Sequence, residues 1–475
     1  MHETRSAGGA RLEPRGERLR SVSEGETTRS MLDLLILNAE VLSTAPGAAS
    51  VRPRHDIAIL GNRIDAILPT GQIDPGRARD VIDARDMIAM PGLINAHCHT
   101  AMVLFRGVGE DVSVERWFND VVWPLEMNLT PEDVYWGALL GLAEMIEAGV
   151  TTVADHYFHM DEVARATEQA GTRANLCWAV FGLGARAPEA KLHETIEWAL
   201  RWQGGASGRI TAWLGPHAPF TCGEEFLRKV ADRAKQLGVG AHIHVSETRE
   251  QVRSSLERTG KTPIEVVRDA GLFEVPTILA HAAHPTDGDI QIMARAGAGV
   301  AHCPKTFLKL AAGIAPVLKL REAGIPVGIG SDGAVSNNTL DILEQTRLAA
   351  MLQKHEHQRA EVLPIAEALT MACHDGARVL RLDSDLGDLA PGKLADLILI
   401  RTDSPHMQPM LNVTANVLYS AQAADVDTVI CDGKLLMRGR KLLTLDKAAI
   451  LSEVRSRLGR LLQRTPGQRL QTYSP

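Results

Sequence analysis

The chain has 475 residues, a length that suits one large barrel or two to three domains. Hydrophobic residues make up 45% and charged residues 23%, a composition that is ordinary for a soluble globular protein. Lys and Arg number 51 against 58 Asp and Glu, a formal net charge of −7, which disfavours nucleic acid as a partner because phosphate binding requires a basic surface. Aromatic residues make up only 4%, so we expect an aliphatic core without a base-stacking surface.

The N-terminal segment and the cysteine spacing indicate a cytoplasmic protein. Residues 1–30 are rich in Arg, Glu, Ser and Gly and lack the apolar run of a signal peptide, and we expect a disordered tail there. No run of 18 apolar residues could span a membrane. The six cysteines include no CxxC pair, which excludes a zinc knuckle or redox motif of that spacing and favours a reducing compartment.

Short apolar runs near both ends of the chain predict one small β-domain built from both termini. These runs, bounded by turn-forming residues, lie at 32–37, 57–60, 64–68, 394–400, 426–431 and 434–437. We therefore predict a β-sandwich domain formed by residues 31–88 and 385–445, followed by a C-terminal helix and tail at 446–475.

The middle of the chain, residues 89–384, alternates between apolar runs and amphipathic stretches. The apolar runs lie near 88–96, 150–154, 173–180, 210–215, 240–245, 276–280, 298–302 and 326–330. The helical patterns include 131–148, 161–170, 222–237, 287–296 and 339–354. This alternation predicts an α/β fold, a (β/α)8 TIM barrel rather than a doubly wound sheet.

Candidate metal ligands gather at the carboxyl ends of the predicted strands, where a barrel builds its active site. His97 and His99 are spaced i, i+2, which places both side chains on one face of a strand. His244 and Asp332 end two other strands and add a third nitrogen and a hard oxygen. Three histidines and one aspartate form a ligand set that suits Zn²⁺ or Fe²⁺ and leaves a position for water.

Three details refine this prediction. His242 and His244 share the i, i+2 spacing, and on the set as a whole we assign His244 to the metal and leave His242 as a structural histidine. Glu247 follows past the strand end, where a carboxylate beside a metal-bound water acts as general base and then general acid. The fourth predicted strand contains no Lys, the residue with which two-metal barrels often bridge their ions, so we predict a single metal.

These residues resemble the amidohydrolase superfamily over residues 32–450. The markers are 91–99 (PGLINAHCH), 244–247 (HVSE), 279–281 (LAH) and 330–338 (GSDGAVSNN). Further stretches are similar to the branch that contains methylthioadenosine/S-adenosylhomocysteine deaminases, namely 104–111 (LFRGVGED), Trp117, 123–126 (WPLE), 215–219 (GPHAP) and 308–316 (LKLAAGIAP). Guanine deaminases and triazine hydrolases share much of this pattern.

The resemblance implies a role for each matching residue. The metal ligands of the family match His97, His99, His244 and Asp332, its proton-shuttling carboxylate matches Glu247, and the histidine that hydrogen-bonds the attacking hydroxide matches His281. Asp332 is expected to orient the hydroxide as well. Glu126 and His217 match positions that contact the nucleoside in adenosine-type deaminases, and His302, at the end of the seventh predicted strand, is a further candidate for the pocket wall.

Two departures from the family pattern bear on the substrate. Segment 302–310 reads HCPKTFLKL, so Thr306 and Phe307 replace the usual Ser and Asn. Trp178 falls where some adenosylhomocysteine deaminases carry an Arg that meets the polar tail of the substrate. Loss of that Arg removes a bidentate carboxylate clamp, which favours substrates without a carboxylate and makes Trp178 a candidate substrate contact.

The resemblance therefore implies a metal-dependent hydrolase acting on carbon–nitrogen bonds of cyclic amidines, with one divalent ion, Zn²⁺ before Fe²⁺. The expected substrate is a small amino-substituted N-heterocycle of adenosine type, such as methylthioadenosine or S-adenosylhomocysteine, and the product is ammonia. Alternatives are cleavage of a C–Cl or C–N bond of an s-triazine, opening of a cyclic amide, deamination of guanine or cytosine, and an inactive scaffold, which the retained ligands disfavour. Members of the family often form homo-oligomers; no nucleic-acid or membrane partner is expected.

Overall fold

The computed structural model describes residues 31–45, 47, 50–183 and 187–463; the predicted tail at 1–30 and the end of the predicted C-terminal tail lie outside them. The strands are β1 (Leu32–Ser43), β2 (Ser50–Leu60), β3 (Arg63–Pro69), β4 (Ala78–Asp83), β5 (Met87–Pro91), β6 (Leu93–His99), β7 (Val150–Tyr157), β8 (Arg173–Val180), β9 (Ile210–Pro216), β10 (Ala241–Val245), β11 (Thr277–His281), β12 (Gly299–His302), β13 (Val327–Ile329), β14 (Asp332–Gly333), β15 (Leu397–Arg401), β16 (Val426–Cys431), β17 (Lys434–Arg438) and β18 (Lys441–Leu442).

The α-helices are α1 (Val114–Arg116), α2 (Trp123–Glu126), α3 (Pro131–Glu147), α4 (Met160–Ala170), α5 (Pro188–Trp202), α6 (Gly205–Gly208), α7 (Pro219–Cys222), α8 (Glu224–Leu237), α9 (Arg249–Thr259), α10 (Pro263–Asp269), α11 (Asp287–Ala296), α12 (Pro304–Lys309), α13 (Val317–Glu322), α14 (Ala334–Asn337), α15 (Ile342–His357), α16 (Ile365–Thr370), α17 (Gly376–Val379), α18 (Val413–Ala415) and α19 (Lys447–Leu461). Short 3₁₀ or π segments lie at Pro75–Arg77, Thr100–Phe105, Trp117–Val122, Leu272–Glu274, Met371–Asp375, Pro405–Met407, Asn416–Ser420 and Ala423–Asp425. Within the described part of the chain, no helix combines the length and apolarity needed to cross a membrane.

Strands β6 to β14 form the predicted barrel. Neighbouring strands pair in parallel from β6 through to β13, and β14 pairs with β6, so the sheet closes on itself. The last strand is split, because β13 pairs with β12 while β14 sets Asp332 opposite Cys98 and Gly333 opposite His99. The (β/α)8 fold predicted from the alternating pattern is confirmed, with strand eight in two pieces.

The helices begin and end at residues that carry local signals. α3 starts behind Thr130, whose hydroxyl accepts the N–H of Asp133 while the Asp133 carboxylate accepts the N–H of Thr130. α4 ends at Gly171, whose φ of 84° is the left-handed conformation that glycine adopts without strain. These caps explain why the predicted helices 131–148 and 161–170 agree with α3 and α4 to within one residue.

Strands from both termini join in one mixed sheet outside the barrel. Its order is β18-β17-β16-β15-β5-β1-β2-β3, with β4 paired to β1. The antiparallel pair β5–β15 is where the N-terminal and C-terminal parts meet. The prediction that both ends of the chain build one β-rich unit is confirmed.

The chain passes from this sheet into the barrel at Gly92. β5 ends at Pro91 and β6 begins at Leu93, so the single apolar run predicted at 88–96 is two strands in two different sheets. A run of buried apolar residues does not show where one strand gives way to the next. A Cβ atom at Gly92 would lie 2.2 Å from Oγ1 of Thr151, so the passage requires glycine.

A buried ionic cluster joins the barrel to the terminal sheet. Arg173, the first residue of β8, donates from Nε to Oδ2 of Asp396 at 3.1 Å and from Nη2 to Oδ1 of Asp432 at 3.2 Å. Burial alone would lower the pKa of Arg173, but the two carboxylates outweigh it and raise the pKa. The guanidinium therefore stays charged and fixes the amino end of β8 against the sheet.

Candidate metal centre and active site

The predicted metal ligands come together at the carboxyl ends of three strands. His97 and His99 lie on β6, His244 on β10 and Asp332 on β14. Nε2 of His99 lies 3.3 Å from Oδ1 of Asp332 and 3.3 Å from Nε2 of His244. Nε2 of His97 lies 3.5 Å from the same Asp332 oxygen. The donor atoms of His97, His99 and Asp332 lie within 4.8 Å of one another, and His244 joins this cluster through His99 and, with His281, through His97. These neighbouring nitrogens and a carboxylate oxygen are the kind of donors that hold a divalent cation.

The outer nitrogens of the three histidines are held so that the inner ones face this point. Nδ1 of His97 lies 2.9 Å from Nε2 of His242, Nδ1 of His99 lies 2.6 Å from the carbonyl oxygen of His156, and Nδ1 of His244 lies 2.8 Å from the carbonyl oxygen of His217. A carbonyl only accepts, so Nδ1 carries the proton in His99 and His244, and Nε2 keeps its lone pair. Nε2 of His97 is buried without a hydrogen-bond partner among the described residues.

Asp332 is held by two hydroxyl groups. Its Oδ2 accepts from Oγ1 of Thr306 at 3.0 Å and from Oγ of Ser336 at 2.7 Å, which leaves Oδ1 toward the histidines. Thr306 therefore retains the hydroxyl of the serine it replaces in the family pattern. The sequence analysis did not identify either hydroxyl as a partner of Asp332. The available indication was their location, since Ser336 lies in the marker segment 330–338 and Thr306 in segment 302–310.

Burial and mutual contact shift the protonation states of these groups. Burial lowers the pKa of His97 to about 3 and that of His244 well below its usual range. Burial alone would raise the pKa of Asp332, but His97 and His99 outweigh it and hold that pKa well below the usual range. Burial opposes protonation of His99, yet Asp332 raises its pKa. Neutral imidazoles at His97 and His244 and an ionised Asp332 fit a divalent cation, which would compete with the proton that Asp332 favours on His99.

Glu247 and His281 face each other beside this cluster. Oε1 of Glu247 lies 3.9 Å from Nε2 of His281. The loop that carries Glu247 is fixed through Ser246, whose φ of 49° is left-handed and whose carbonyl accepts the N–H groups of Ala283 and His284 at 3.0 Å each. Because that contact ties the loop after β10 to the loop after β11, the two predicted proton-handling residues are placed by adjacent strands.

A cavity of about 700 Å³ opens onto the cluster. Its walls contain the polar residues His99, Glu126, His156, Tyr157, His217, His244, Glu247, His281 and Asp332 and the apolar residues Met102, Val114, Trp117, Phe118, Trp123, Phe158, Ala179, Phe181 and Phe220. Glu126 and His217, predicted to contact substrate, are both in the wall. Glu126 accepts the hydroxyl of Tyr157 at 2.7 Å, and burial raises its pKa to about 7.

Aromatic rings form part of the cavity wall. The ring of Phe181 stacks on that of His217 with centroids 4.6 Å apart, and Trp123 lies 5.7 Å from Phe181 and 6.1 Å from Phe158. Such walls suit a planar heterocycle. Phe158 and Phe181 were not singled out from the sequence, although each directly follows a barrel strand in a chain with few aromatic residues.

Trp178 and His302 do not line this cavity. Trp178 borders an adjoining cavity of about 880 Å³, which shares Glu126 and Phe158 with the first, and Nζ of Lys191 lies 5.6 Å from the centroid of its ring. His302 is 1% exposed and its ring centroid lies 5.5 Å from that of Phe307. Within the described residues, neither ring nitrogen of His302 has a hydrogen-bond partner.

Comparison with known proteins places the whole of this site inside one family. The model of the Amidohydrolase family matches residues 88–436. A 5-methylthioadenosine/S-adenosylhomocysteine deaminase of Desulforudis audaxviator is 46% identical over 432 residues, which cover 90% of this chain and 99% of the relative. The protein of the same description from Pelotomaculum thermopropionicum is 45% identical over 435 residues, covering 91% and 100%.

Solved structures agree with the fold. An adenosine deaminase from Xanthomonas campestris with bound zinc matches with a TM-score of 0.86 and 32% identity over 91% of this chain and 99% of its own. Atrazine chlorohydrolase from Arthrobacter aurescens TC1, complexed with zinc, matches with a TM-score of 0.83 and 24% identity over 90% and 100%. At that lower identity the second likeness shows the shared fold alone.

Proposed function

The chain belongs to the amidohydrolase family, and from that premise we propose that it is a metal-dependent aminohydrolase of adenosine-type nucleosides. It replaces the exocyclic amino group of an amino-substituted N-heterocycle by oxygen from water and releases ammonia. Methylthioadenosine and S-adenosylhomocysteine are the favoured substrates, since the curated relatives from Desulforudis audaxviator and Pelotomaculum thermopropionicum are so described.

One arrangement carries the proposal. The donor atoms of His97, His99 and Asp332 all lie within 4.8 Å of one another, His244 closes the set beside His99, and Glu247 faces the same cavity. A structural zinc site would be closed by four protein ligands away from a pocket, whereas this set borders a cavity sized for a small molecule.

The residues that would hold the metal are His97, His99, His244 and Asp332. Zn²⁺ is favoured and Fe²⁺ is the alternative for this mixture of nitrogen and oxygen donors. A divalent ion bound there supplies Lewis acidity and lowers the pKa of water from 15.7 to about 7.

Glu247, His281 and Asp332 handle the protons of the reaction. Glu247 takes a proton from the attacking water and delivers it to a ring nitrogen of the substrate, which makes the neighbouring ring carbon electrophilic. His281 and Asp332 orient the water oxygen toward that carbon. The same Glu247 carboxylate, ionised again after that transfer, takes the second proton from the added hydroxyl group and passes it to the departing amine, which leaves as ammonia. Each turnover thus consumes one water and ends with the carboxylate ionised.

The remainder of the cavity positions the nucleoside. The stacked pair His217 and Phe181 holds the planar base, and the buried Glu126 carboxylate accepts hydrogen bonds from sugar hydroxyls. A nucleobase without its sugar would leave the buried Glu126 carboxylate with the Tyr157 hydroxyl but without the sugar hydroxyls, which costs binding free energy. This argument favours a nucleoside over free guanine, cytosine or a triazine.

The adjoining cavity receives the substituent on the far side of the sugar. Trp178 gives it an aromatic wall that suits a thioether. Lys191, which also pairs with Glu194 at 2.6 Å, brings a positive charge over that ring. Lys191 on α5 thus partly replaces the positive charge of the Arg that some relatives carry at the position of Trp178. A carboxylate tail would pair with this flexible point charge rather than with the two parallel hydrogen bonds of an Arg.

We place this chemistry in the barrel, residues 89–384, and assign the protein to the cytoplasm. All six cysteines are buried and unpaired, which supports a reducing compartment.

The test is a substrate panel on purified protein with its metal content measured. We expect about one zinc per chain and release of ammonia from methylthioadenosine, S-adenosylhomocysteine or adenosine, but not from guanine or cytosine, and no chloride from a chlorinated triazine. An active preparation without stoichiometric metal would contradict the proposal, and so would a loaded preparation that deaminates none of the nucleosides.

A further inference from the structure

The carboxylate of Glu247 is held by Gln251, a side chain on the next helix. Nε2 of Gln251 donates to Oε2 of Glu247 at 3.1 Å, and Oε1 of Gln251 accepts the N–H of Glu247 at 3.0 Å. The other carboxylate oxygen, Oε1, is the one that faces Nε2 of His281. One oxygen of Glu247 is therefore anchored while the other is turned toward the proposed site of proton transfer.

The start of helix α9 explains this contact. Thr248 caps the helix, and its Oγ1 accepts the N–H of Gln251 at 3.2 Å. In the usual Thr-x-x-Gln capping box, the Gln side chain would return to the N–H of the capping Thr. Here the Gln251 side chain instead contacts Glu247, the residue before the capping Thr248. The same capping sequence that starts helix α9 therefore also holds Glu247.

Gln251 does not line the active-site cavity. It is 5% exposed and borders a separate cavity of about 580 Å³, which it shares with Ser246 and Ser255. Among the described residues, those that line the active-site cavity do not include it. Gln251 can therefore influence the reaction only through the residue it holds.

We propose that Gln251 is a positioning residue that fixes Glu247 in the orientation required for proton transfer. The inference rests on the proposed function, in which Glu247 serves the water and then the ring nitrogen. Proton transfer needs heavy-atom distances of about 2.6–3.2 Å. The hydrogen bond from Nε2 of Gln251 stops the Glu247 carboxylate from rotating out of that range, and the bond from the Glu247 N–H holds the Gln251 side chain in place. Loss of Gln251 should then slow the chemical step without weakening substrate or metal binding.

The test variant is Gln251→Met, which keeps the length of the side chain and removes both hydrogen bonds. The control variant is Ser255→Ala, which alters a buried residue one turn later on the same helix. We expect Gln251→Met to lower kcat for ammonia release about tenfold or more, with KM and zinc content unchanged, and Ser255→Ala to leave kcat unchanged. In a Glu247→Gln background, Gln251→Met should have no further effect on kcat, because there is no carboxylate left to position.

Three results from kinetics and metal analysis would overturn the inference: an unchanged kcat in Gln251→Met, a parallel loss of zinc, or the same further loss of kcat in the Glu247→Gln background. If Gln251→Met unfolds, Gln251→Leu replaces it, since it also removes both hydrogen bonds and brings no charge beside Glu247. A crystal structure of the variant supplies a readout that does not depend on the substrate: we expect the Glu247 carboxylate in more than one rotamer, and a single unchanged position would overturn the inference. A wild-type protein that deaminates nothing would instead refute the proposed function.

Discussion

The Nδ1 atom of His97 lies 2.9 Å from Nε2 of His242, so the second HxH pair of the sequence supports the first. Burial lowers the pKa of His242 well below its usual range, which keeps its ring neutral. For Nε2 of His97 to present its lone pair to a metal, Nδ1 of His97 has to carry the proton and Nε2 of His242 has to accept its hydrogen bond.

Replacement of His242 by Phe should weaken metal binding. Loss of a partner that orients a ligand typically costs about 10- to 100-fold in metal affinity, and we expect that loss in the zinc dissociation constant measured by competition with a chelator. His242→Gln is the matched control, because its amide oxygen can accept from Nδ1 of His97 and should retain most of the affinity. Equal zinc affinity in His242→Phe and the wild type would refute the supporting role.

Replacement of Glu247 by Gln should separate catalysis from metal binding. The amide cannot carry a proton between water and the ring nitrogen, so we expect kcat for ammonia release to fall by about 10²- to 10⁴-fold. The zinc content should stay at its wild-type value because Glu247 is outside the ligand set. Near-normal ammonia release by this variant would exclude Glu247 as the proton shuttle.

Lys191 and Trp178 should control the preference between the two favoured substrates. Lys191→Met removes the only positive charge among the described residues that line the adjoining cavity, and we expect KM for S-adenosylhomocysteine to rise about fivefold, as for an exposed ion pair worth up to about 1 kcal/mol. KM for methylthioadenosine, which has no carboxylate, should not change. Trp178→Arg should shift the preference in the opposite direction by offering a bidentate clamp. A parallel change for both substrates in Lys191→Met would argue against a contact with the tail.

The barrel, and the proximity of the four candidate ligands at one end of it, could be predicted from the sequence because both depend on spacing. Two histidines at i, i+2 share a face of a strand whatever the rest of the fold does, and a metal site recurs at the carboxyl ends of barrel strands. The i, i+2 spacing alone did not distinguish His242 from His244, and the assignment of His244 to the metal rested on the ligand set as a whole. Only the register of β10 against its neighbours decides which ring meets the cluster.

The parts that could not be predicted depend on contacts between distant segments. Gln251 reads from the sequence as an ordinary capping residue, and its contact with Glu247 appears only when the helix start is folded against the loop after β10. Lys191 lies on α5, and only the packing of that helix against β8 brings its charge over Trp178. Neither contact has a fixed spacing that a sequence pattern could carry.

Glu126 should make substrate binding dependent on pH. Burial raises its pKa to about 7, so the carboxyl group is protonated as the pH falls below that value and loses its capacity to accept two sugar hydroxyls. We expect KM for methylthioadenosine to rise as the pH falls through about 7, with less change in kcat.

Tyr157→Phe removes a donor that favours the ionised form of Glu126, so the inflection in the pH profile of KM should move to higher pH. Glu126→Gln should raise KM at all pH values and abolish the inflection; an unchanged profile in both variants would assign the effect to another group.

Arg173 should contribute strongly to stability because, among the described residues, no other cation pairs with Asp396 or Asp432. Arg173→Met leaves Asp396 and Asp432 buried without their charge partner, at 5% and 9% exposure. Breaking such a pair costs about 3–5 kcal/mol, which we expect as a lower free energy of unfolding in urea titrations. Arg85→Met is the matched control, because Arg85 pairs with Asp83 at the surface and should change the free energy of unfolding by less than about 1 kcal/mol. Replacing both aspartates by Asn in the Arg173→Met background should restore much of the loss, since the cost arises from the unpaired charges. If Arg173→Met and Arg85→Met were equally stable, the cluster would not be what holds the barrel to the terminal sheet.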